Sequence, residues 1–199
     1  MSLDDFKMFF AGVFLVLILV VASPTLSMIV DWPVGERFTE LWILGPGHMA
    51  EDYPFNVTEN EVYSVFLGIG NHMRGLEYYV VYVKVRNQTE LLPNATTGEP
   101  STVVPLYEYR VFLSEGEVWE KNVTFSFSGI AVVGNVCRVS YLWVDGFRFS
   151  VNKTAVRNEE DRGFYFQVFF ELWRLDEATS EFQYHNRFVG LWLNMTTFL

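Results

Sequence analysis

The stretch VCRVSYLWVDGFRFSVN, residues 136–152, carries the strongest hairpin signal in the chain. Two runs rich in β-branched and aromatic residues flank Asp145-Gly146, a dipeptide that favours the left-handed backbone of a two-residue hairpin turn. The second run alternates Phe147, Phe149 and Val151 with polar residues, so one face of that strand is expected to point inward. The stretch therefore predicts an antiparallel hairpin with one buried face.

The same period of two continues on both sides of this hairpin, with turn residues at short intervals. In Tyr78–Arg86, for example, apolar residues share one face while Lys84 and Arg86 lie on the other, which is typical of a half-buried strand. The predicted strands are Phe38–Leu44, Glu61–Ile69, Tyr78–Arg86, Tyr107–Leu113, Val118–Ser128, Val136–Val144, Phe147–Asn152, Phe164–Leu175 and Phe188–Met195.

These short strands, with no amphipathic helix among them, predict an all-β domain, an immunoglobulin-like antiparallel β-sandwich. A small barrel is the alternative architecture. Asn87–Ser101 is predicted as a long polar loop, and Lys153–Arg162 as a charged loop or a single helical turn. One core between the sheets is expected to contain Val81, Val83, Val123, Phe125, Phe149, Val151, Phe166, Val168, Leu191 and Leu193.

The segment Met8–Val30 is apolar and contains no Asp, Glu, Lys, Arg or His. A bilayer core of about 30 Å needs roughly 20 such residues, so the segment predicts one transmembrane helix. A cleaved secretory signal is the alternative, since Val20 and Ala22 have the small-residue spacing of a cleavage site. The expected organisation is a cytoplasmic N-terminus at residues 1–7, an anchor at 8–30, a connector at 31–37 and an extracytoplasmic domain at 38–199.

Six Asn-x-Thr acceptor sequences for N-glycosylation follow the apolar segment, an excess over chance placement. Their position predicts that the domain lies outside the cytoplasm, with the N-terminus inside. The predicted glycosylation sites are Asn56, Asn87, Asn94, Asn122, Asn152 and Asn194.

The chain is acidic, with 24 Asp plus Glu against 14 Lys plus Arg and a net charge of -10. No basic stripe is available for a phosphate backbone, so nucleic-acid binding is not expected. Cys137 is the only cysteine, which excludes an intrachain disulfide. Its apolar neighbours predict a buried structural thiol.

No pattern typical of catalysis or of cofactor binding is present. The three histidines, His48, His72 and His185, lack metal-ligand spacing, and Ser114 lacks a nucleophile elbow. Glu117 and Glu120 beside Trp119 resemble a glycosidase carboxylate pair only in composition, and we interpret them as solvated acids at a strand start. We therefore predict no catalytic residue, no cofactor and no metal ligand.

Tryptophans at strand positions invite a second interpretation. Trp42, Trp143, Trp173 and Trp192 are expected to pack in the core or at sheet edges, with an exposed platform for sugar rings as the alternative.

Four stretches of the domain resemble one known family. They are FTELWILG (Phe38–Gly45), DYPFNVTENEVYSVFLGIGNH (Asp52–His72), EGEVWEKNVTF (Glu115–Phe125) and YHNRFVGLWL (Tyr184–Leu193). Together they are similar to the extracytoplasmic domain of the membrane-protein family called domain of unknown function 1616, which is frequent in archaea. Members often carry several membrane helices before this domain, whereas this chain has one apolar segment. The resemblance implies an envelope protein of sandwich-like fold and implies no activity.

The expected function is that of a membrane-anchored, N-glycosylated interaction or structural module of the cell envelope, for example an accessory subunit of a membrane complex. Its expected partners are the membrane, a protein of the membrane or envelope, and N-linked glycans. The alternative is an envelope enzyme acting on glycans or peptides, with Glu117 and Glu120 in a cleft. A non-enzymatic role is preferred.

Overall fold

The computed structural model describes residues 3–29, 36–160 and 162–196. The chain forms two compact units, Met1–Glu36 and Arg37–Leu199. Most of the predicted connector, residues 31–35, lies outside the described residues, as do Val30 at the end of the predicted anchor and residues 1 and 2.

The first unit contains one helix, α1, at Leu3–Ile29. It begins before the predicted anchor and covers the described part of it. Within the described residues, no helix combines the length and the apolar character needed to cross a membrane.

The second unit is built from ten strands in two sheets. The strands are β1 (Phe38–Leu44), β2 (Asn56–Thr58), β3 (Tyr63–His72), β4 (Glu77–Asn87), β5 (Tyr107–Leu113), β6 (Val118–Val133), β7 (Val136–Val144), β8 (Phe147–Val156), β9 (Tyr165–Asp176) and β10 (Glu181–Thr196). The first sheet has the order β1-β3-β6-β7-β8, and the second has the order β2-β10-β9-β4-β5. Two separate sheets confirm the all-β sandwich and decide between the two predicted architectures in its favour.

Among the described residues, the pairs formed by these strands are antiparallel except β2 with β10, which is parallel. The antiparallel prediction is therefore wrong for this pair, and β2 itself was not predicted. Three residues are too few to show a period of two, and parallel partners must come from distant parts of the chain.

The Asp145-Gly146 hairpin is confirmed. Both residues have positive φ, 48° and 82°, which is the backbone of the favoured two-residue turn. The Asp145 carboxylate accepts hydrogen bonds from the Thr124 amide at 3.0 Å and the Tyr109 hydroxyl at 2.9 Å. Burial alone would raise the pKa of Asp145, but these bonds and the charge of Lys121 together lower it. A charged carboxylate thus ties the turn to β6 and β5.

The predicted core is confirmed for eight of its ten residues, which are buried in one cluster. Phe149 and Val151 are only half-buried against that cluster, because β8 is an edge strand. Phe147 was predicted to point inward, but 58% of it is exposed. It follows the turn at the end of the sheet and stacks against Tyr107 with ring centroids 5.9 Å apart.

Several strands are longer than predicted. β3 continues through Gly70 and Asn71 to His72, and Lys153–Val156 belongs to β8 rather than to a loop or helical turn. β10 starts at Glu181, seven residues before its predicted start at Phe188, because a bulge between Tyr184 and Arg187 interrupts the period of two. Glycines and bulges obscured these continuations in the sequence.

β4 is buried on both faces, so its interpretation as a half-buried strand is wrong. Lys84 and Arg86 are 2% and 8% exposed although they point away from the core. The predicted Asn87–Ser101 loop begins one residue too early, since Asn87 ends β4. The segment between β4 and β5, which contains the rest of that loop, covers part of this outer face of the second sheet. The Lys84 ammonium donates to the Ser101 carbonyl at 3.1 Å, and the Ser101 amide donates to the Glu171 carboxylate at 3.1 Å.

Candidate functional site

The six predicted glycosylation sites differ in accessibility. Asn56, Asn94, Asn122 and Asn152 are exposed, whereas Asn87 and Asn194 are half-buried. The Asn87 side-chain amide donates to the Thr154 carbonyl at 3.0 Å.

Asn94 lies in a turn between β4 and β5. Its side-chain oxygen accepts hydrogen bonds from the Thr96 and Thr97 amides at 2.9 and 3.2 Å. The Asn194 side-chain nitrogen instead donates to the Asn56 side-chain oxygen at 3.0 Å. Two predicted glycosylation sites that lie far apart in sequence are therefore in direct contact across the β2–β10 pair.

The three histidines do not come together. His48 bonds Glu120 at 2.8 Å and stacks on Phe66, while His72 ends β3 and stacks on Phe38. His185 lies in the bulge of β10. Over residues 3–29, 36–160 and 162–196, no three His, Cys, Asp or Glu side chains form a group that could hold a metal ion.

The remaining candidate groups for chemistry are also separated. Cys137 is buried, as predicted, and burial raises the pKa of its thiol to about 11, which disfavours the reactive thiolate. Ser114 is exposed, and its amide donates to Glu117 at 2.6 Å, so Glu117 closes its own turn. Glu120 is engaged by His48. Glu117 and Glu120 therefore each have a local partner.

The four tryptophans do not form one platform. Trp42 and Trp143 belong to the first sheet, whereas Trp173 and Trp192 belong to the second. Trp192 is the most exposed of them and has the Arg86 guanidinium 4.7 Å from its ring centroid. The other three are half-buried.

A chain of polar side chains links the two sheets. The His185 Nε2 atom lies 2.9 Å from the Thr39 hydroxyl, which lies 3.0 Å from the Tyr79 hydroxyl. The Tyr79 hydroxyl donates to the Asn71 side-chain oxygen at 3.1 Å, and the Asn71 side-chain nitrogen donates to the Leu113 carbonyl at 2.7 Å. Thr39, Tyr79 and Asn71 are buried. Each is satisfied by its neighbour, as buried polar groups require.

This polar chain gathers all four stretches that carry the family resemblance. Thr39, Asn71 and His185 come from three of these stretches. The backbone N–H of Asn71 donates to the backbone carbonyl of Glu117, which belongs to the fourth, at 3.0 Å. Burial lowers the pKa of His185 to about 4, helped by the positive charges of Arg174 and Arg187. The imidazole is therefore neutral near pH 7. These residues are up to 146 positions apart in the sequence, so no local sequence pattern indicated that they form a cluster.

An open groove of about 640 Å³ lies beside this chain, between β1 and the bulge of β10. One wall consists of residues 38–42 of β1, and the other consists of Asn186, Arg187 and Phe188. Ala95 at the tip of the β4–β5 segment closes one side. The predicted glycosylation site Asn94 directly precedes this residue in the chain.

An aromatic cluster occupies the outer face of the second sheet, beyond the β4–β5 segment. Tyr78 stacks on Phe112 with ring centroids 4.0 Å apart, and Phe182 meets Tyr78 edge-on at 5.0 Å. The Arg110 guanidinium lies 5.4 Å from the Phe182 centroid. We call these four residues the aromatic face. Phe112 is 60% exposed, and none of the six acceptor asparagines belongs to the face.

The aromatic face continues into half-buried rings with one unpaired polar atom. Trp173 and Tyr184 lie next along β9 and β10, with ring centroids 6.3 Å apart. The Tyr184 hydroxyl is buried and has no hydrogen-bond partner among the described residues. Burial, with the Glu171 carboxylate, raises the pKa of Tyr184 to about 12, so the group stays a neutral hydroxyl.

Comparisons with known proteins agree with the sequence resemblance. The family described as Domain of unknown function (DUF1616) matches residues 33–168. No curated protein matches the chain. Two solved structures of a β-glucosidase from Listeria innocua are similar, the complex with glucose at 13% identity and TM-score 0.37 and the complex with gluconolactone at 15% and 0.35. Both alignments cover 81% of this chain but only 16% of the other, and likenesses this low carry no argument about function.

Proposed function

Because the chain belongs to the family called Domain of unknown function (DUF1616), we propose that it is a membrane-anchored, N-glycosylated interaction module of the cell envelope. The module is a sandwich of immunoglobulin-like type that presents the aromatic face to a protein partner in the membrane or envelope. The apolar, charge-free sequence from Met8 to Val30 supports the anchor, and the six acceptors after it support an extracytoplasmic domain.

The observation that carries the proposal is the contrast between the aromatic face and its surroundings. Phe112 and Arg110 are exposed, and Tyr78 and Phe182 are half-buried beside them. Aromatic rings with an arginine are the composition of interface centres, where such side chains lose water on binding. Much of the rest of the same outer face is closed by the β4–β5 segment, with Val80 and Phe169 fully buried. The aromatic face is therefore an accessible region of this sheet face, and none of the six predicted glycosylation sites lies among its residues.

A single substitution tests the face with a glycan. Phe112→Asn creates an Asn-Leu-Ser acceptor in the aromatic face, whereas Val62→Asn creates Asn-Tyr-Ser at another exposed apolar position. Both variants should be produced in the native host and crosslinked in intact membranes. We expect a crosslinked species of defined mass in the wild type and in Val62→Asn, and its loss in Phe112→Asn. A species that survives a glycan at position 112 would contradict the proposal.

The anchor and orientation have their own test. Protease added to intact cells or spheroplasts should digest the β-sandwich domain and leave a fragment that contains the apolar segment in the membrane fraction. A domain that is protected until the cells are lysed would refute the orientation. A full-length chain recovered only in the soluble fraction would refute the anchor.

A further inference from the structure

β8 is the edge strand of the first sheet on the side opposite β1. The edge formed by β1 is closed, because Thr39 is only 1% exposed and the Tyr53 hydroxyl donates to the Ile43 carbonyl. On β8, in contrast, Arg148 and Ser150 are both exposed. β8 is therefore the edge of this sheet that offers exposed residues to another strand.

The peptide groups of Arg148 and Ser150 point to the free side of β8. Val144 and Phe147 flank the two-residue turn as cross-strand partners, so they form the hydrogen-bonded pair that closes the hairpin. Alternate residues of an antiparallel strand direct their N–H and C=O groups to opposite sides, which turns Arg148 and Ser150 away from β7. Among the described residues, no hydrogen bond engages these two peptide groups on the free side. Both are thus available for a new ladder.

The predicted glycosylation site Asn152 lies at the end of this open stretch. It belongs to the bulge of β8 and has a left-handed backbone at φ 48°. Its side-chain nitrogen, the atom that carries an N-linked glycan, donates to the Ser150 hydroxyl at 2.6 Å. A glycan at this site would therefore begin directly beside an edge residue. Beyond the bulge, the Asn87 side chain closes the edge by donating to the Thr154 carbonyl.

We propose that a glycan on Asn152 keeps this protein monomeric, because it covers the edge at which two bare copies pair β8 with β8. An unprotected edge strand is a template for pairing with another chain, and proteins commonly block such edges. This inference rests on the N-glycosylation of the proposed function and is independent of the aromatic face.

One antiparallel register uses both outward residues of each copy. It sets Arg148 opposite Ser150 of the second copy, and Ser150 opposite Arg148, so that two hydrogen-bonded pairs form and no like charges meet. Phe149 then faces Phe149 of the second copy, and Phe147 faces Val151. Pairing would cover Phe147, which is 58% exposed in the single chain. The strand is thus complementary to itself in charge and in apolar character.

Removing the glycan tests its role. Thr154→Ala destroys the Asn-Lys-Thr acceptor but keeps the Asn152 side chain, and Asn122→Gln removes another exposed acceptor as the matched control. The full-length chains should be produced in the native host and measured in detergent by light scattering. We expect the wild type and Asn122→Gln to have the protein mass of a monomer and Thr154→Ala to have twice that mass.

Substitutions in the Thr154→Ala chain test the edge and the register. Ser150→Pro removes an outward N–H without touching the β7 ladder and should restore the monomer, whereas Ser150→Ala keeps the N–H and should remain a dimer. Phe149→Cys should form a disulfide between copies, because Cα atoms of a non-hydrogen-bonded pair lie about 4.5 Å apart. Phe147→Cys faces Val151 of the second copy and should not. The disulfide does not depend on how well the proline variant folds.

Glycopeptide mass spectrometry of the wild type separates this inference from the proposed function. A bare Asn152 in the native host would overturn the glycosylation of this site and with it the protection of the edge. A dimeric wild type that carries the glycan would overturn the protection alone. A glycosylated wild type combined with a monomeric Thr154→Ala, a dimer that persists in Ser150→Pro, or equal disulfide yields at positions 147 and 149 would overturn the pairing of β8.

Discussion

His185 illustrates how much a single residue depends on its surroundings in this protein. In sequence it is an isolated histidine, yet in the structure it is the outer member of the polar chain that joins β10 to β1 and β4. Its neutral ring is set by burial first and by two nearby arginines second. Protonation of His185 would therefore place a positive charge in a largely buried site near two arginines, which costs folding free energy.

The stability of the domain should consequently depend on pH through His185. The unfolded residue binds a proton near its usual pKa of 6.5, whereas the folded one resists protonation down to about 4. The unfolded state thus binds more protons in this window, and stability is lost as pH falls from 6.5 to 4. Allowing for partial exposure, the loss is about 2 kcal/mol. Urea unfolding of wild type and His185→Gln should show a steeper pH dependence for the wild type.

The same two proteins provide an internal control at higher pH. Above about pH 7.5, where His185 is neutral in both the folded and the unfolded chain, the wild type and His185→Gln should show the same pH dependence of the free energy of unfolding. Equal slopes for the wild type and His185→Gln between pH 6.5 and 4 would contradict the role given to His185.

Glycan occupancy is the second property decided at single residues. We expect glycans on most acceptors of the native protein and the highest occupancy at Asn94, whose turn is exposed and lies outside the strands. Asn56 and Asn194 touch each other, so two glycans there would clash, and each molecule should carry at most one of the pair. Glycopeptide mass spectrometry of protein from the native host measures both statements. A bare polypeptide mass, or double occupancy at Asn56 and Asn194, would contradict them.

At the scale of elements, the β4–β5 segment is tied to the second sheet by charge. Lys84 and Glu171 form an ion pair at 2.8 Å with side chains only 3% and 0% exposed. Trp173 donates a further hydrogen bond to Glu171 at 2.7 Å, and Ser101 bonds both charged groups. A charge pair this well satisfied fixes the segment over part of the outer surface and leaves the aromatic face accessible beside it.

Removing one member of this pair should destabilise the domain strongly. Lys84→Met leaves the Glu171 carboxylate buried and uncompensated, which costs about 3–5 kcal/mol. Arg110→Met breaks the exposed Arg110–Glu108 pair instead and should cost less than about 1 kcal/mol. Lys84→Met with Glu171→Leu should be more stable than Lys84→Met alone, because no charge remains buried. Denaturant unfolding measures all three, and a stable Lys84→Met single variant would contradict a structural role.

At the scale of the whole molecule, stability comes from one apolar core between the two sheets. Phe125 of the first sheet and Phe166, Val168 and Leu193 of the second belong to the same buried cluster. The single cysteine cannot form an intrachain disulfide. Packing of the core therefore has to supply the stability that disulfides provide in many small extracellular domains.

Truncating a core ring should therefore be costly, whereas truncating a surface ring should not. Phe125 is 2% exposed, and its substitution by Ala should lower the free energy of unfolding by about 3–5 kcal/mol. Phe112→Ala, at an exposed ring, should cost well under half of that and serves as the control. The free energy of unfolding of the purified chain measures the difference. Similar values for the two variants would show that the core is not shared as described.

The sequence by itself determined the all-β class, most strand positions, the Asp145-Gly146 turn and eight of ten core residues. These features depend on neighbouring residues: side chains of a strand alternate between faces, and a turn is fixed by the backbone preferences of two residues. The same local patterns were misleading where a bulge or a glycine interrupts a strand, as at the start of β10 and the end of β3.

The tertiary structure alone decided the burial of both faces of β4, the parallel β2–β10 pair and the polar chain from His185 to Asn71. Lys84 looks solvated in sequence because its partner Glu171 is 87 positions away, and Thr39 meets His185 across 146 positions. A buried charge or hydroxyl is stable only when such a partner is brought to it. Long-range pairing leaves no local periodicity, and for that reason the groove at β1 and the aromatic face became visible only in the folded chain.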